Sequence, residues 1–173
     1  METPITIVGP GRLGRSAAQI LHAQGTSYVL VGRGQTIPKS TLTWLTVPDR
    51  EIENASEAVP IGGIVLHASG AKDIEPLKRH NEAGSLHPLM TFPGPEFGLP
   101  QTDSIPAAIA GTQKATEAAR ALAKTLGFTP FLVSGDRALY HAAAVTSGNF
   151  ASLLLCEAAR ILTTAGVSEK EAG

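Results

Sequence analysis

Short apolar, β-branched runs punctuated by glycine or proline alternate along this chain with stretches of helical periodicity. Ile5-Thr6-Ile7-Val8 stops at Gly9, and Tyr28-Val29-Leu30-Val31 stops at Gly32. Runs this short and this continuously apolar suit strands buried on both faces of a parallel sheet. Thr43 to Val47, ending at Pro48, and Ile64 to His67 read the same way. Ser85 to His87, ahead of Pro88, Ala107 to Ala110 and Phe131 to Val133 are shorter strands. Between them, Arg15 to Ala23 carries apolar residues at Ala17, Ala18, Ile20 and Leu21, and Ala115 to Leu126 is closed by Gly127. Both read as helices, and Glu75 to Glu82 reads as a shorter one. Strands alternating with helices through short connections predict an α/β fold with a mostly parallel sheet and helices on both faces.

Two stretches break the alternation. Phe92 to Pro106 holds Pro93, Pro95, Pro100 and Pro106 with Gly94 and Gly98, a composition that removes backbone donors and predicts a loop. It is either a cover for a site or a surface connection. Leu139 to Ala165 has no proline and is apolar on most sides of a helical wheel, including Val145, Phe150, Leu153, Leu154, Leu155, Ile161 and Leu162. Gly166 is its natural stop. A helix apolar all round must be buried. The chain thus divides into residues 1–137, the α/β domain, and residues 138–173, a long helix that the resemblance described below implies to open a truncated or short helical domain.

Composition narrows the class. Of 173 residues, 43% are hydrophobic and 17% charged, enough for a sizeable core. A net charge of -1 favours neither nucleic acid nor an anionic membrane. Cys156 is the one cysteine, so no disulfide within the chain and no cysteine-based metal site is expected. No signal stretch precedes the first strand, and no uninterrupted apolar run reaches the ~18 residues of a membrane span. The expectation is a cytoplasmic protein with no membrane partner and no metal.

Gly9-Pro10-Gly11-Arg12-Leu13-Gly14 matches G-x-G-x-x-G between a predicted strand and a predicted helix, the context that gives this pattern meaning. Gly9 makes the tight turn, Gly11 lets a pyrophosphate approach the backbone, and Gly14 lets helix and strand pack closely. Free N–H groups at the helix start favour the phosphates. This predicts a Rossmann-type dinucleotide site, with Arg12 and Leu13 in its loop. The second strand ends at Gly32-Arg33-Gly34, with no carboxylate until Asp49. NAD-selective folds place an acid there for the ribose, whereas a guanidinium matches a 2′-phosphate. Arg33, with Thr36 as a further hydroxyl contact, therefore points to NADP(H) over NAD(H).

Ligands in such sheets sit beyond the carboxyl ends of the strands. Val47 and Pro48 are placed to line the nicotinamide side. His87, held extended by Pro88, is the sharpest catalytic candidate, with an ordinary pKa near 6.5 suited to proton exchange. His67 ranks below it, His22 suits a helix end, and His80 is expected to be solvated. Tyr140-His141 opens the long helix, and Ser147-Gly148-Asn149 follows two turns on. Eight residues separate His141 from Asn149, so both can share a helix face, and Gly148 suggests a kink or a close backbone approach. The final strand, ending near Val133, is expected to deliver the helix to the His87 edge. His87, His141 and Asn149, with Ser147 nearby, would then surround one cleft.

Together these segments, Leu45-Thr46-Val47-Pro48-Asp49, His67-Ala68-Ser69-Gly70, Ser85 to Phe92 and Tyr140 to Val145, resemble the Rossmann-like proteins with a C-terminal domain of unknown function. Those are distant relatives of the 6-phosphogluconate dehydrogenase, ketopantoate reductase and pyrroline-5-carboxylate reductase group. The resemblance implies an NADP-dependent oxidoreductase of unassigned small polar substrate. His87-Pro88 is also similar to the His-Pro element of prephenate dehydrogenases, and Ala144 to Gly148 loosely resembles a substrate loop of pyrroline-5-carboxylate reductases. Such relatives continue into a multi-helix domain, whereas this sequence stops at Gly173. Two functions follow: a reductase or dehydrogenase using His87 or His141 as proton carrier with Asn149 and Ser147 on the substrate, or a non-catalytic NADP(H)-binding sensor or subunit module. The second draws on the lack of a lysine near Asn149. Either way the Leu139–Ala165 helix is expected to pair with a second copy as a homodimer, because one domain cannot cover all of its apolar sides.

Overall fold

A computed structural model describes residues 4–98 and 105–172. Pro100 of the proline-rich loop and Gly173 at the chain's end lie outside them. Seven strands form one sheet: β1 (Ile5–Val8), β2 (Tyr28–Val31), β3 (Leu42–Leu45), β4 (Ile64–His67), β5 (Ala83–Pro88), β6 (Pro106–Gly111) and β7 (Thr129–Leu132). Their order in space is β2-β1-β3-β4-β5-β6-β7, with every neighbouring pair parallel except β5 and β6. The chain steps from β1 to β2 on one side and returns to β3 on the other. That reversal leaves a crevice beyond the carboxyl ends of β1 and β3, where ligands of doubly wound sheets bind.

Alternation along each strand sends side chains to two cores. On one face Ile7, Trp44, Leu66, Leu86 and Ile109 meet α1 (Arg12–Ala23) and α3 (Gln113–Thr125). On the other, Val8, Val31, Leu45, Val65 and Ala83 meet Ile52 of α2 (Ile52–Ala58), along with Ile37, Val59 and Leu77. Helices on both faces explain why the central strands carry apolar residues at nearly every position. The sheet and its helices are those of a Rossmann-type α/β fold.

Three local readings needed correction. α2 was not legible because it is only seven residues, with Glu53, Asn54 and Glu57 among them and a single large apolar side chain, Ile52, in the core. Glu75 to Glu82 is not a helix: a single 3-10 turn spans Glu75–Leu77, and Leu77 alone plugs the core. His80, expected in solvent, is 4% exposed and its Nε2 lies 3.2 Å from the Ser56 carbonyl oxygen, fastening that turn to α2.

The long helix follows β7 as α4 (Arg137–Val145), a π-helical turn (Thr146–Phe150) and α5 (Ala151–Thr164), with a short α6 (Glu169–Ala172) beyond. The proposed division at residue 137/138 falls one residue inside α4. β7 runs opposite to β1–β5, so it does not finish at their carboxyl edge as expected. It reaches that region because β5 is long. The register aligns Leu132 with Ile109 and Ile109 with Leu86, while His67 at the end of β4 aligns with Ser85. The chain therefore leaves β7 near the level where β4 ends. Asp136 then caps α4, accepting from the Ala138 and Leu139 amides.

The close approach of α1 to the sheet is the tightest constraint at the cofactor edge. A Cβ on Gly14 would lie 2.1 Å from the Gly9 carbonyl oxygen and 2.6 Å from Thr46 Oγ1. Thr46 Oγ1 itself donates to that carbonyl at 2.8 Å. Gly14→Ala must push α1 off the sheet, and overpacking of this kind costs about 1–3 kcal/mol. Urea unfolding should show a lower midpoint with an unchanged slope.

Candidate functional site

The crevice beyond β1 gathers the dinucleotide candidates. Gly9 turns the chain at φ +108, a conformation that favours glycine, and a Cβ there would meet the Thr46 carbonyl oxygen at 2.9 Å and Val47 Cγ1 at 3.0 Å. Its amide donates to the Val31 carbonyl at 2.9 Å, joining the loop to the end of β2. A Cβ on Gly32 would stand 3.7 Å from Pro10 Cγ, so the Arg33 segment borders the glycine loop. By contrast, a Cβ on Gly11 would meet no protein atom within 4 Å. The backbone there is open on the side where a pyrophosphate would lie. Thr112 and Asp136 cap α3 and α4 with side chains, but α1 starts at Gly11 with no side-chain cap. Its leading N–H groups await an acceptor. Arg12, Arg33 and Thr36 are exposed, and neither arginine makes an ion pair among the described residues. Leu13 and Val47 are half-buried and Pro48 is exposed.

A second concavity, a cleft of about 600 Å³, opens beyond β5. His87, His141, Ser147 and Asn149 all line it, with Pro88 to Thr91 on one side and Ala144, Val145 and Ser152 on the other. The π-helical turn carries Ser147, Gly148 and Asn149 into this wall. Such turns widen a helix locally and recur at functional sites. Ser147 Oγ donates to the Ala144 carbonyl at 3.2 Å, a local backbone contact, while Asn149 is exposed and makes no hydrogen bond to another described residue.

His87 is the best-fixed group in the cleft. It protrudes because β5 continues past the residue paired with the end of β4. A Cβ on Gly70 would lie 2.6 Å from His87 Cε1, so the ring packs directly on that glycine. Its Nδ1 lies 2.8 Å from Tyr140 Oη, and the two rings meet edge to face. The His141 ring centroid is 6.5 Å away, and the buried His141 Nδ1 has no partner among the described residues. Burial, the Arg137 guanidinium and His141 push the His87 pKa down to about 4. The ordinary value expected from sequence is therefore corrected, and His87 is uncharged at neutral pH.

A chain of polar contacts runs from the end of β3 to this ring. Ser69 Oγ donates to Asp49 Oδ2 at 2.7 Å and accepts from the Ala71 and Lys72 amides. The Ser69 carbonyl accepts from Arg137 Nη2 at 2.9 Å, and that guanidinium stands 5.0 Å over the Tyr140 ring, which reaches His87. Sequence reasoning did not assign these roles to Ser69, Gly70, Arg137 and Tyr140. The Ser-Gly pair at a strand end was the available signal for the first two. His67 is fully buried: its Nε2 donates to the Asp73 carbonyl at 2.8 Å and its Nδ1 accepts the Ser69 amide at 3.1 Å. It is a structural residue. Among the described residues no cluster of three or more His, Cys, Asp or Glu side chains could hold a metal ion.

Residues 105–172 match a family model described as a domain of unknown function, DUF2520. The whole fold is similar to solved structures. A Thermotoga maritima protein superposes with a TM-score of 0.73 and 24% identity, covering 96% of this chain and 72% of that one. An Aspergillus terreus reductive aminase, solved with NADPH and ethyl levulinate, gives 0.77 and 18%, covering 99% and 70%. An NADH-preferring ketol-acid reductoisomerase from an uncultured archaean gives 0.67 and 17%, covering 98% and 64%. No curated protein matches the chain in sequence. The resemblance to Rossmann-like proteins with a C-terminal domain of unknown function thus holds in both parts of the chain.

Burial lowers the pKa values of His67, His80 and His87 below 6.5. Between its folded and unfolded values each histidine binds more protons in the unfolded chain. Stability is therefore complete above about pH 7 and is lost as pH falls below 6.5, where the unfolded chain takes up protons that the folded histidines do not. Urea midpoints measured from pH 8 to 5 should be level down to about 7 and then fall. A level profile to pH 5 would contradict the assigned burial.

Proposed function

We propose that this chain is an NADP(H)-dependent oxidoreductase acting on the carbonyl or imine carbon of a small polar molecule. The observation that carries the reading is the cleft that gathers His87, His141, Ser147 and Asn149 beyond the carboxyl end of β5, in the sheet whose β1 edge bears the open glycine loop. When bound, the cofactor supplies or accepts the hydride. The chain's own residues bind and orient. The uncapped start of α1 and Gly11 receive the pyrophosphate, and Val47 and Pro48 flank the nicotinamide. The Asn149 side-chain amide, which has no hydrogen-bond partner among the described residues, and the Ser147 hydroxyl hold the substrate oxygen or nitrogen, and His141 exchanges the proton.

NADP(H) over NAD(H) rests on Arg33. It is exposed, makes no ion pair among the described residues and is set beside the glycine loop, with no acid at the end of β2. A charge-assisted contact to a 2′-phosphate contributes about 1.5–3 kcal/mol, or roughly 10- to 150-fold in affinity. Titration should show tighter binding of NADPH than NADH, and Arg33→Ala should abolish the difference while leaving NADH binding unchanged. Equal wild-type affinities would sink the preference. NADPH binding without NADPH oxidation across a panel of keto and imino compounds would favour a binding module instead.

The same reading includes a homodimer. Leu139, Phe150, Leu153, Leu154, Leu155, Ile161 and Leu162 are 44–72% exposed, so the helix expected to be buried is left largely open, with α4 held to the sheet edge through Arg137 and Tyr140. The segment Arg137–Thr164 is also long and apolar enough to cross a membrane, by length and composition, despite its polar interruptions. Its first turns, however, are tied to the sheet through Arg137 and Tyr140. Burying each large side chain contributes on the order of 1.5–3 kcal/mol. Together the seven are of the same order as, or larger than, an association cost of about 4–15 kcal/mol. A second copy offers the same helix in return, and its symmetric pairing closes. Light scattering at micromolar concentration should give twice the chain mass, and Leu154→Glu should reduce it to one. A wild-type monomer, or partition into lipid vesicles, would overturn the dimer.

A further inference from the structure

His87 is the one cleft residue whose ring is fixed on several sides, and the groups that fix it also decide which nitrogen carries its proton. We propose that Tyr140 and Gly70 are positioning residues that hold His87 as a neutral imidazole protonated on Nε2, so that the cleft offers a hydrogen-bond donor, not an acid, to a substrate carbonyl oxygen. The proposal rests on the oxidoreductase reading for its substrate, but not for its test.

The Nδ1···Oη contact of 2.8 Å admits two proton arrangements. A phenol is a good donor and a poor acceptor, and a neutral imidazole nitrogen is a good acceptor. Tyr140 Oη makes no other hydrogen bond among the described residues, so an Nδ1–H tautomer would leave the phenolic proton without an acceptor on a half-buried group. O–H donating to Nδ1 uses both groups and places the ring's own proton on Nε2. That nitrogen has no partner among the described residues and is not one of the buried unpartnered atoms, so it is open to a ligand.

The charges around the ring agree. From α4, Arg137 stacks on Tyr140 and disfavours an imidazolium beside it, and His141 would add to the repulsion. From the ends of β3 and β4 come Asp49, the opposing charge, and His67. Asp49 is already engaged by Ser69 Oγ. The phenol stays protonated, its pKa raised to about 12 by burial. Gly70 gives the ring its place, because any side chain there would occupy the position of Cε1. A neutral donor aimed at developing negative charge stabilises a transition state without giving up its proton. Were a carbonyl reduced in this cleft, Nε2–H would bond the oxygen as the cofactor's hydride reached the carbon, and that oxygen would take its proton from His141, which water in the open cleft would restore.

Nitrogen-15 NMR of the imidazole rings in the full chain, without cofactor or substrate, tests this directly. His87→Gln identifies the signals. At pH 7 the wild type should show the proton on Nε2 and an unprotonated, hydrogen-bonded Nδ1, with no titration down to pH 5. Tyr140→Phe keeps the ring stack but removes the hydroxyl; it should mix the two tautomers and move the midpoint up towards 6.5. Gly70→Ala should shift the same signals by displacing the ring. A wild-type proton on Nδ1, titration near 6.5, or a His87 spectrum indifferent to Tyr140→Phe would each overturn the proposal. If Tyr140→Phe does not fold, the wild-type spectrum still decides. Absence of NADPH binding would strike the oxidoreductase reading and leave this result untouched.

Discussion

Ser69 is the point on which the site's geometry turns. It follows the end of β4 by two residues and is 5% exposed. Its hydroxyl accepts two amides of its own turn and donates to Asp49, and its carbonyl holds Arg137. One buried residue thereby fastens three elements: the turn after β3, the turn after β4 and the first turn of α4. Gly70 is next in the chain, so fixing Ser69 fixes the surface on which His87 rests. Buried polar groups impose such order because leaving any of them unpaired costs about 1–3 kcal/mol. His67 beneath adds to it by accepting the Ser69 amide.

The two ends of the candidate site are built on opposite principles. At the β1 edge the protein leaves its polar groups free: the start of α1 has no side-chain cap, and Arg12 and Arg33 have no ion pair among the described residues. Open N–H groups and exposed guanidinium groups suit an anionic ligand that brings its own charge. At the β5 edge the cation, Arg137, is already committed to Ser69 and Tyr140. The polar groups that remain facing the cleft are directional: imidazole, amide and hydroxyl groups. The Pro95–Phe97 turn bridges these ends, with Glu96 reaching Arg15 of α1 at 3.2 Å.

Most of the sheet was legible because buried strands announce themselves as β-branched runs stopped by Gly or Pro, as at Val8-Gly9 and Val31-Gly32. The glycine loop was legible because its three glycines answer separate steric demands, and Gly14 meets the most severe. α2 and the turn at Glu75 escaped because each buries little more than one large side chain, Ile52 or Leu77, and periodicity needs several. The gathering of His87, His141, Ser147 and Asn149 was anticipated from the wrong direction of β7. It came about through the extra length of β5 and the register, which no local pattern encodes. Ser69, Gly70, Arg137 and Tyr140 were harder still. Their roles exist only between elements: Arg137 and Ser69 are 68 positions apart, and His87 and Tyr140 are 53 apart.

Chemistry and assembly meet at the π-helical turn. Ser147, Gly148 and Asn149 face the cleft, and so does Ser152, one residue before the exposed run Leu153-Leu154-Leu155. The wall of the cleft and the apolar face are thus the same two turns of one helix. Whatever covers the leucines must also pass over the rim next to Ser152. A covering that excludes water there would lower the local dielectric and strengthen every hydrogen bond inside. It would also make an imidazolium at His87 costlier and a neutral Nε2–H donor more effective. Burial of the exposed helix by the proposed second copy would thus convert an open, half-solvated groove into a more closed one.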